Sequence, residues 1–314
     1  MKRGFSRRLD SQAVMAISDR LQQLREHIPT EFQRMPRSLA HVDTWKATEC
    51  RQFLIYTGPI VLKKFLPASC YSNFLNFSVA MYLMLCPALC NYYCDFAGDL
   101  INHFLIEFEP LYGIDELIYN VHNLIHLADD VRRYGALDGV SAFPFENYMR
   151  KLKKATRKPQ FVLKQIFNII SLEWAFLTSK KAKQTENKTP VLKMKHSCGP
   201  SIPNFPHCTQ YKKAVFNEFC VAITPGDNCV MAGGNLGLVK NILCDERSYR
   251  KYILFGRFSR LDSLYSSPIE YKDIGVYKAG RLESTDEIIC LSEISRKYVL
   301  LPMETDWAAM PFLH

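Results

Sequence analysis

Apolar residues recur at helical spacing through the first part of the chain. Within residues 11–26, Val14, Ile17, Leu21 and Leu24 fall three or four apart, which predicts an amphipathic helix with Ser11 as its N-cap. Pro29 ends it, and a basic connector follows. A second helical stretch, residues 45–66, sets Trp45, Phe53 and Leu54 on one face. Gly58-Pro59 predicts a break there, with helix resuming at Ile60. Residues 68–94 hold no charged side chain, which raises a transmembrane reading. However, Ser69, Ser72, Asn73, Asn76, Ser78 and Asn91 interrupt the run, Pro87 divides it, and amides are costly in hydrocarbon. A buried helical hairpin is the better reading. Cys86, Cys90 and Cys94 then share a helical face, as small core residues rather than metal ligands. Further helical patterns cover residues 96–109, closed by Pro110, then the region from Tyr119, and residues 161–177 with Trp174.

From Tyr211 the period changes. Short runs such as 228–234, 236–244, 249–258 and 297–304 are rich in aliphatic, β-branched and aromatic residues, and PGDN, GGN, DERS and SSP separate them. These predict a small antiparallel β-barrel or sandwich. The expected fold class is therefore α+β: helical over residues 1–177, a polar proline-marked linker over 178–210, and a small β-barrel-like domain over 211–314. His196, Cys198, His207 and Cys208 lie in or at the edge of the linker, but their spacing matches no standard zinc site. Tyr252, Phe255, Phe258, Tyr265 and Tyr271 are candidates to line a peptide-binding groove, or else to fill the β core.

Composition narrows the class further. With 48% hydrophobic and 12% aromatic residues over 314 positions, the chain can bury a real core. A formal charge of +9 allows an anionic partner without choosing nucleic acid over a membrane surface. Eleven cysteines, odd in number and without a CxxC pair, point to reduced thiols in an intracellular compartment. The basic N-terminus lacks the apolar segment of a secretory signal.

The chemistry concentrates between Tyr119 and Gln160. His122 and His126, with Asp129 three further on, fit either a transition-metal site or histidines packed at a buried interface. Phe143-Pro144-Phe145 should wedge the start of the next helix into a core and place Glu146 in its first turn, where a carboxylate also favours the helix dipole. Arg150, Lys151, Lys153, Lys154, Arg157 and Lys158 follow, a run suited to phosphate backbones. Basic runs are more often solvated faces.

Two ordered blocks, residues 45–66 and 120–154, resemble the C-terminal part of CACTA (En/Spm-like) transposases, and the β-rich tail resembles the segment that follows in animal members. The resemblance implies an RNase H-like DDE core, nuclear location and a double-stranded DNA partner. Two strand-borne aspartates and one helix-borne glutamate would there hold two divalent ions, usually Mg²⁺. Glu146 matches the third acid, residues 11–109 the helical insertion, and His122 and His126 the approach to the last core helix. Nothing in the chain resembles the strands that carry the two aspartates. Asp10 and Asp19 belong to the first helix, and Asp95 and Asp99 flank an apolar one. The expectation is a DDE remnant that uses no cofactor as it stands and does not cut DNA alone. It binds DNA through Arg150 to Lys158 and through Lys180 to Lys183, with the β domain as an alternative protein-binding platform. The other alternative is the C-terminal part of an active enzyme.

Overall fold

The computed structural model describes residues 9–181, 189–200 and 207–313. Helix α1 (Ser11–Gln23) is capped by Asp10, whose carboxylate accepts from the Ala13 N–H at 2.7 Å, so the cap sits one residue before Ser11. Helix α2 (Ala47–Gln52) does not break at Gly58-Pro59. A π-turn over Phe53–Thr57 carries it into α3 (Gly58–Val61), with the Gly58 N–H bonded to the Phe53 carbonyl. The wider turn absorbs the N–H that Pro59 lacks. A Cβ on Gly58 would lie 2.6 Å from the Phe53 oxygen and 2.8 Å from the Phe74 ring, so only glycine fits.

Helices α4 (Ala68–Leu85) and α5 (Cys94–Tyr112) form the uncharged hairpin, and it is buried in protein. Two of its polar side chains donate to buried carbonyls: Asn73 to Phe104 at 3.0 Å and Ser78 to Leu54 of the π-turn at 2.7 Å. Phe77 stacks on Phe104 at 4.9 Å. Among the described residues no helix is long and apolar enough to cross a membrane. Cys86, Cys90 and Cys94 are all buried, but α4 ends at Leu85 and α5 begins at Cys94, so they span the connection between two helices rather than one helical face. The region from Tyr119 is also broken, into α6 (Tyr119–His122), a 3-10 turn (Asn123–His126) and α7 (Leu127–Tyr134). Helices α8 (Phe143–Ala155) and α9 (Val162–Lys181) follow as a second hairpin.

Every strand among the described residues comes after residue 190. They are β1 (Val191–His196), β2 (Cys208–Val215), β3 (Cys220–Ala222), β4 (Cys229–Ala232), β5 (Asn235–Asp245), β6 (Lys251–Arg257), β7 (Leu261–Ser263), β8 (Tyr277–Ala279), β9 (Glu287–Cys290), β10 (Ile294–Pro302) and β11 (Trp307–Pro311). The main path runs β1-β2-β5-β4-β10-β11-β8-β7, with β3 on β2, β6 on β5 and β9 on β6. Its two ends do not pair, so the sheet is open and antiparallel, not the expected barrel. Turn signals mark where strands stop, whereas closure depends on which distant strands meet. The stretch expected to be linker carries β1, paired antiparallel with β2. Gly233 and Gly234, both at positive φ, make the two-residue turn between β4 and β5.

One core spans both halves. Ile17, Leu21, Leu83, Met84 and Ile101 from the helices pack in the same cluster as Tyr271, Val276, Val299, Leu301, Ala308 and Met310 from the sheet and its loops. Hydrogen bonds cross the same boundary. The Tyr56 hydroxyl accepts from the Leu313 N–H at 2.9 Å, and Tyr82 and Tyr265 donate to the Ile274 and Pro59 carbonyls at 3.0 and 2.8 Å. Phe255, Phe258 and Tyr271 are buried and Tyr252 and Tyr265 half-buried, so these rings fill the core instead of lining a groove.

Candidate nucleic-acid interface

Helix α8 begins at Phe143, where the Ser141 hydroxyl accepts the Phe143 N–H at 3.3 Å. The whole tripeptide Phe143-Pro144-Phe145 is therefore helical. Positions two apart on a helix point to nearly opposite sides, so the two rings do not both reach a core: Phe143 is half-buried and Phe145 is 70% exposed. Glu146 lies in the first turn, exposed. Leu152 is the buried residue of this helix.

Arg150, Lys151, Lys153 and Lys154 are exposed along the second half of α8. Lys151 is anchored to Glu173 of α9 at 2.5 Å, and that carboxylate's hydrogen bond raises the ammonium above its ordinary value. Arg150, Lys153 and Lys154 share one helix face and make no ion pair among the described residues. Arg157 and Lys158 continue the row beyond the helix. Their turn is held by Gln165, which accepts from the Arg157 N–H at 3.0 Å and donates to the carbonyls of Lys158 and Gln160 at 2.9 and 2.8 Å. Five cations without an ion pair among the described residues thus stand on α8 and the turn that follows it. Lys153 and Lys154 also complement the helix dipole at its C-terminal end. The side chains of Lys180 and Lys181 and all of Lys183 lie outside the described residues.

Glu146 has no pair of metal-ligand groups beside it among the described residues. Asp10 caps α1, and Asp95 pairs with Arg132 at 2.6 Å. His122 and His126 are both exposed, so neither packs at a buried interface, and they join no group of ligand atoms. The 3-10 turn between them removes the regular one-turn spacing the sequence suggested. His196, Cys198, His207 and Cys208 gather no ligand group either; His196 accepts from the Cys198 N–H at 3.3 Å.

The one ligand-like group among the described residues escaped sequence reasoning. Glu31, Cys220 and Asp227 bring a carboxylate, a thiol and a second carboxylate within 4.8 Å of one another. The Lys297 ammonium enters the same cluster, 2.7 Å from Glu31 and 2.5 Å from Asp227. The protein's own cation therefore neutralises both carboxylates, and the set does not suit a divalent ion. Its members lie too far apart in sequence for any motif to announce them.

A family of domains of unknown function (DUF8592) matches residues 195–312, which is the sheet from the end of β1 through β11. No curated protein and no solved structure matches the chain.

Proposed function

We propose that this chain is a DNA-binding protein derived from a CACTA-type DDE transposase, without strand-cleaving activity of its own. The observation that carries the binding is the row Arg150, Lys153, Lys154, Arg157 and Lys158: exposed, without an ion pair among the described residues, and with the turn at Arg157 and Lys158 held by Gln165. Sequence-independent contact with phosphates is what such a row supports, since no aromatic or amide side chain is interleaved to read bases. Glu146 alone cannot hold the two ions that in-line displacement requires.

Charge reversal tests this. Lys153→Glu with Lys154→Glu should weaken binding to unrelated duplexes equally, and lower the slope of log K against log salt by about 2. An unchanged slope would remove α8 from the interface.

A second reading draws on α9. Leu163, Phe167, Leu172, Trp174, Phe176 and Leu177 are each between 59% and 83% exposed. A helix apolar on every side is normally buried, which favours a completing layer supplied by a further polypeptide segment, such as the sheet of an RNase H-like core. In that completed protein Glu146→Gln should abolish cleavage and leave DNA binding nearly intact. Retained cleavage would take Glu146 out of the catalytic site.

A further inference from the structure

A second cationic feature lies apart from the outer row of α8. The connector after α1, the start of α2 and the start of α8 enclose a cleft of about 400 Å³, within the range of roughly 300–1,000 Å³ typical of small-molecule sites. Four cations line it: Arg34, Lys46, Arg51 and Arg150. Arg51 is committed to Asp138 through both carboxylate oxygens. The others are not. Arg34 comes only within 4.0 Å of Glu49, whose two oxygens Arg37 already holds at 2.5 and 3.1 Å. Lys46 and Arg150 make no ion pair among the described residues.

The acids of the cleft balance differently. Asp138 answers Arg51, and Glu31 answers Lys297. Glu146 is left as the free carboxylate against Lys46, Arg150 and the loosely held Arg34, so the cleft has a surplus of positive charge. Thr48, Ser141 and Asn147 add neutral hydrogen-bonding groups, and the half-buried Phe143 ring gives one flat apolar wall. A bare anion would use the cations and leave the ring idle. A duplex is too wide to enter.

We infer that this cleft binds a nucleoside phosphate, with its phosphate on Arg34, Lys46 and Arg150 and its base against Phe143. Glu146 can only accept hydrogen bonds, so it favours a base with an exocyclic amino group over thymine, whose single N3–H lies between two carbonyl oxygens that a carboxylate repels. The ligand is either a free mononucleotide or the terminal nucleotide of a single strand, which share this chemistry. Arg150 is shared with the outer row, whereas Arg34, Lys46, Phe143 and Glu146 are not, so Lys46 distinguishes this site from duplex binding.

The test is calorimetric titration of the full chain with adenosine monophosphate, thymidine monophosphate, inorganic phosphate and a 5′-phosphorylated single strand ending in adenosine. Adenosine monophosphate should bind more tightly than thymidine monophosphate or phosphate. Lys46→Glu, an exposed substitution, should weaken it by about tenfold or more, the scale of one charge-assisted hydrogen bond. Lys153→Glu with Lys154→Glu should leave it unchanged while weakening duplex binding. Glu146→Gln should narrow the gap between the adenine and thymine nucleotides. If the strand binds in a Lys46-dependent way and the mononucleotide does not, the ligand is a strand end. Absence of binding by both, or binding indifferent to Lys46→Glu, overturns the assignment.

Discussion

Lys297 is fully buried, and its ammonium holds two carboxylates that come from opposite parts of the chain. Glu31 also accepts the Cys220 N–H at 2.7 Å, and Asp227 accepts the Thr30 N–H at 3.0 Å. Burial alone would raise the Glu31 carboxyl. The hydrogen bonds from Cys220 and Lys297 and the Lys297 charge outweigh it and leave that group below its ordinary 4.5. A depressed carboxyl contributes stability that is complete above 4.5 and is lost as pH falls through its lower folded value. The urea midpoint should therefore drop on acidification below that point, and Glu31→Gln should make the drop shallower while costing stability at neutral pH. An identical acid profile in the variant would contradict this. Lys297→Met strands the buried Asp227 carboxylate and the half-buried Glu31 carboxylate, and should cost about 3–5 kcal/mol in urea unfolding. A loss under about 1 kcal/mol would mean that water already screens the pair. None of this was legible beforehand, because Glu31 and Lys297 are 266 residues apart and Asp227 is 70 from Lys297. The cap of α1, by contrast, was legible to within one residue: the pattern named Ser11, and Asp10 beside it is the residue that caps.

Among the elements, the strands β4, β5, β6, β9 and β10 follow the alternating apolar runs and turn residues closely, because local pattern decides where a strand starts and stops. Strand β1 was missed. Its residues are mostly exposed, and its alternation is a short one, Leu192 and Met194 between Lys193 and Lys195, inside a polar, proline-marked stretch. Its pairing with β2 defines it instead. The α4–α5 hairpin was legible from its uncharged length and scattered amides. The π-turn that carries α2 through Gly58-Pro59 was not, since the sequence signal for a break and for a bulge is the same. Helix α9 makes a sharper statement. Its exposed Leu163, Phe167 and Trp174 should let the protein bind a hydrophobic dye and self-associate. Replacing the three by serine should lower dye fluorescence and raise solubility, with the unfolding free energy changed by no more than the roughly 0.5 kcal/mol per substitution expected of surface positions. A large loss of stability would instead show that α9 is packed in solution.

At the scale of the molecule, helices and sheet share a core, and this changes what a fragment can do. The family match covers residues 195–312, yet Tyr271, Val299, Leu301 and Met310 of that region complete their burial against α1, α4 and α5. Gly226, at positive φ, lets its loop approach the Ile28 carbonyl so closely that a Cβ would sit 2.8 Å away. Residues 195–312 expressed alone should therefore lack a cooperative thermal transition, whereas the whole chain should unfold in one step. A separately cooperative fragment would contradict the shared core. Composition and period foretold the α+β class and its order along the chain, but not that the two parts close one core. The central claim is that Arg150, Lys153, Lys154, Arg157 and Lys158 grip phosphates. Fluorescence anisotropy of the full chain with a duplex of arbitrary sequence, measured across salt concentrations, tests it most directly. Five engaged cations predict log K falling with log salt at a slope of roughly −4 to −5. A slope near zero, or no duplex binding at low salt, would contradict it.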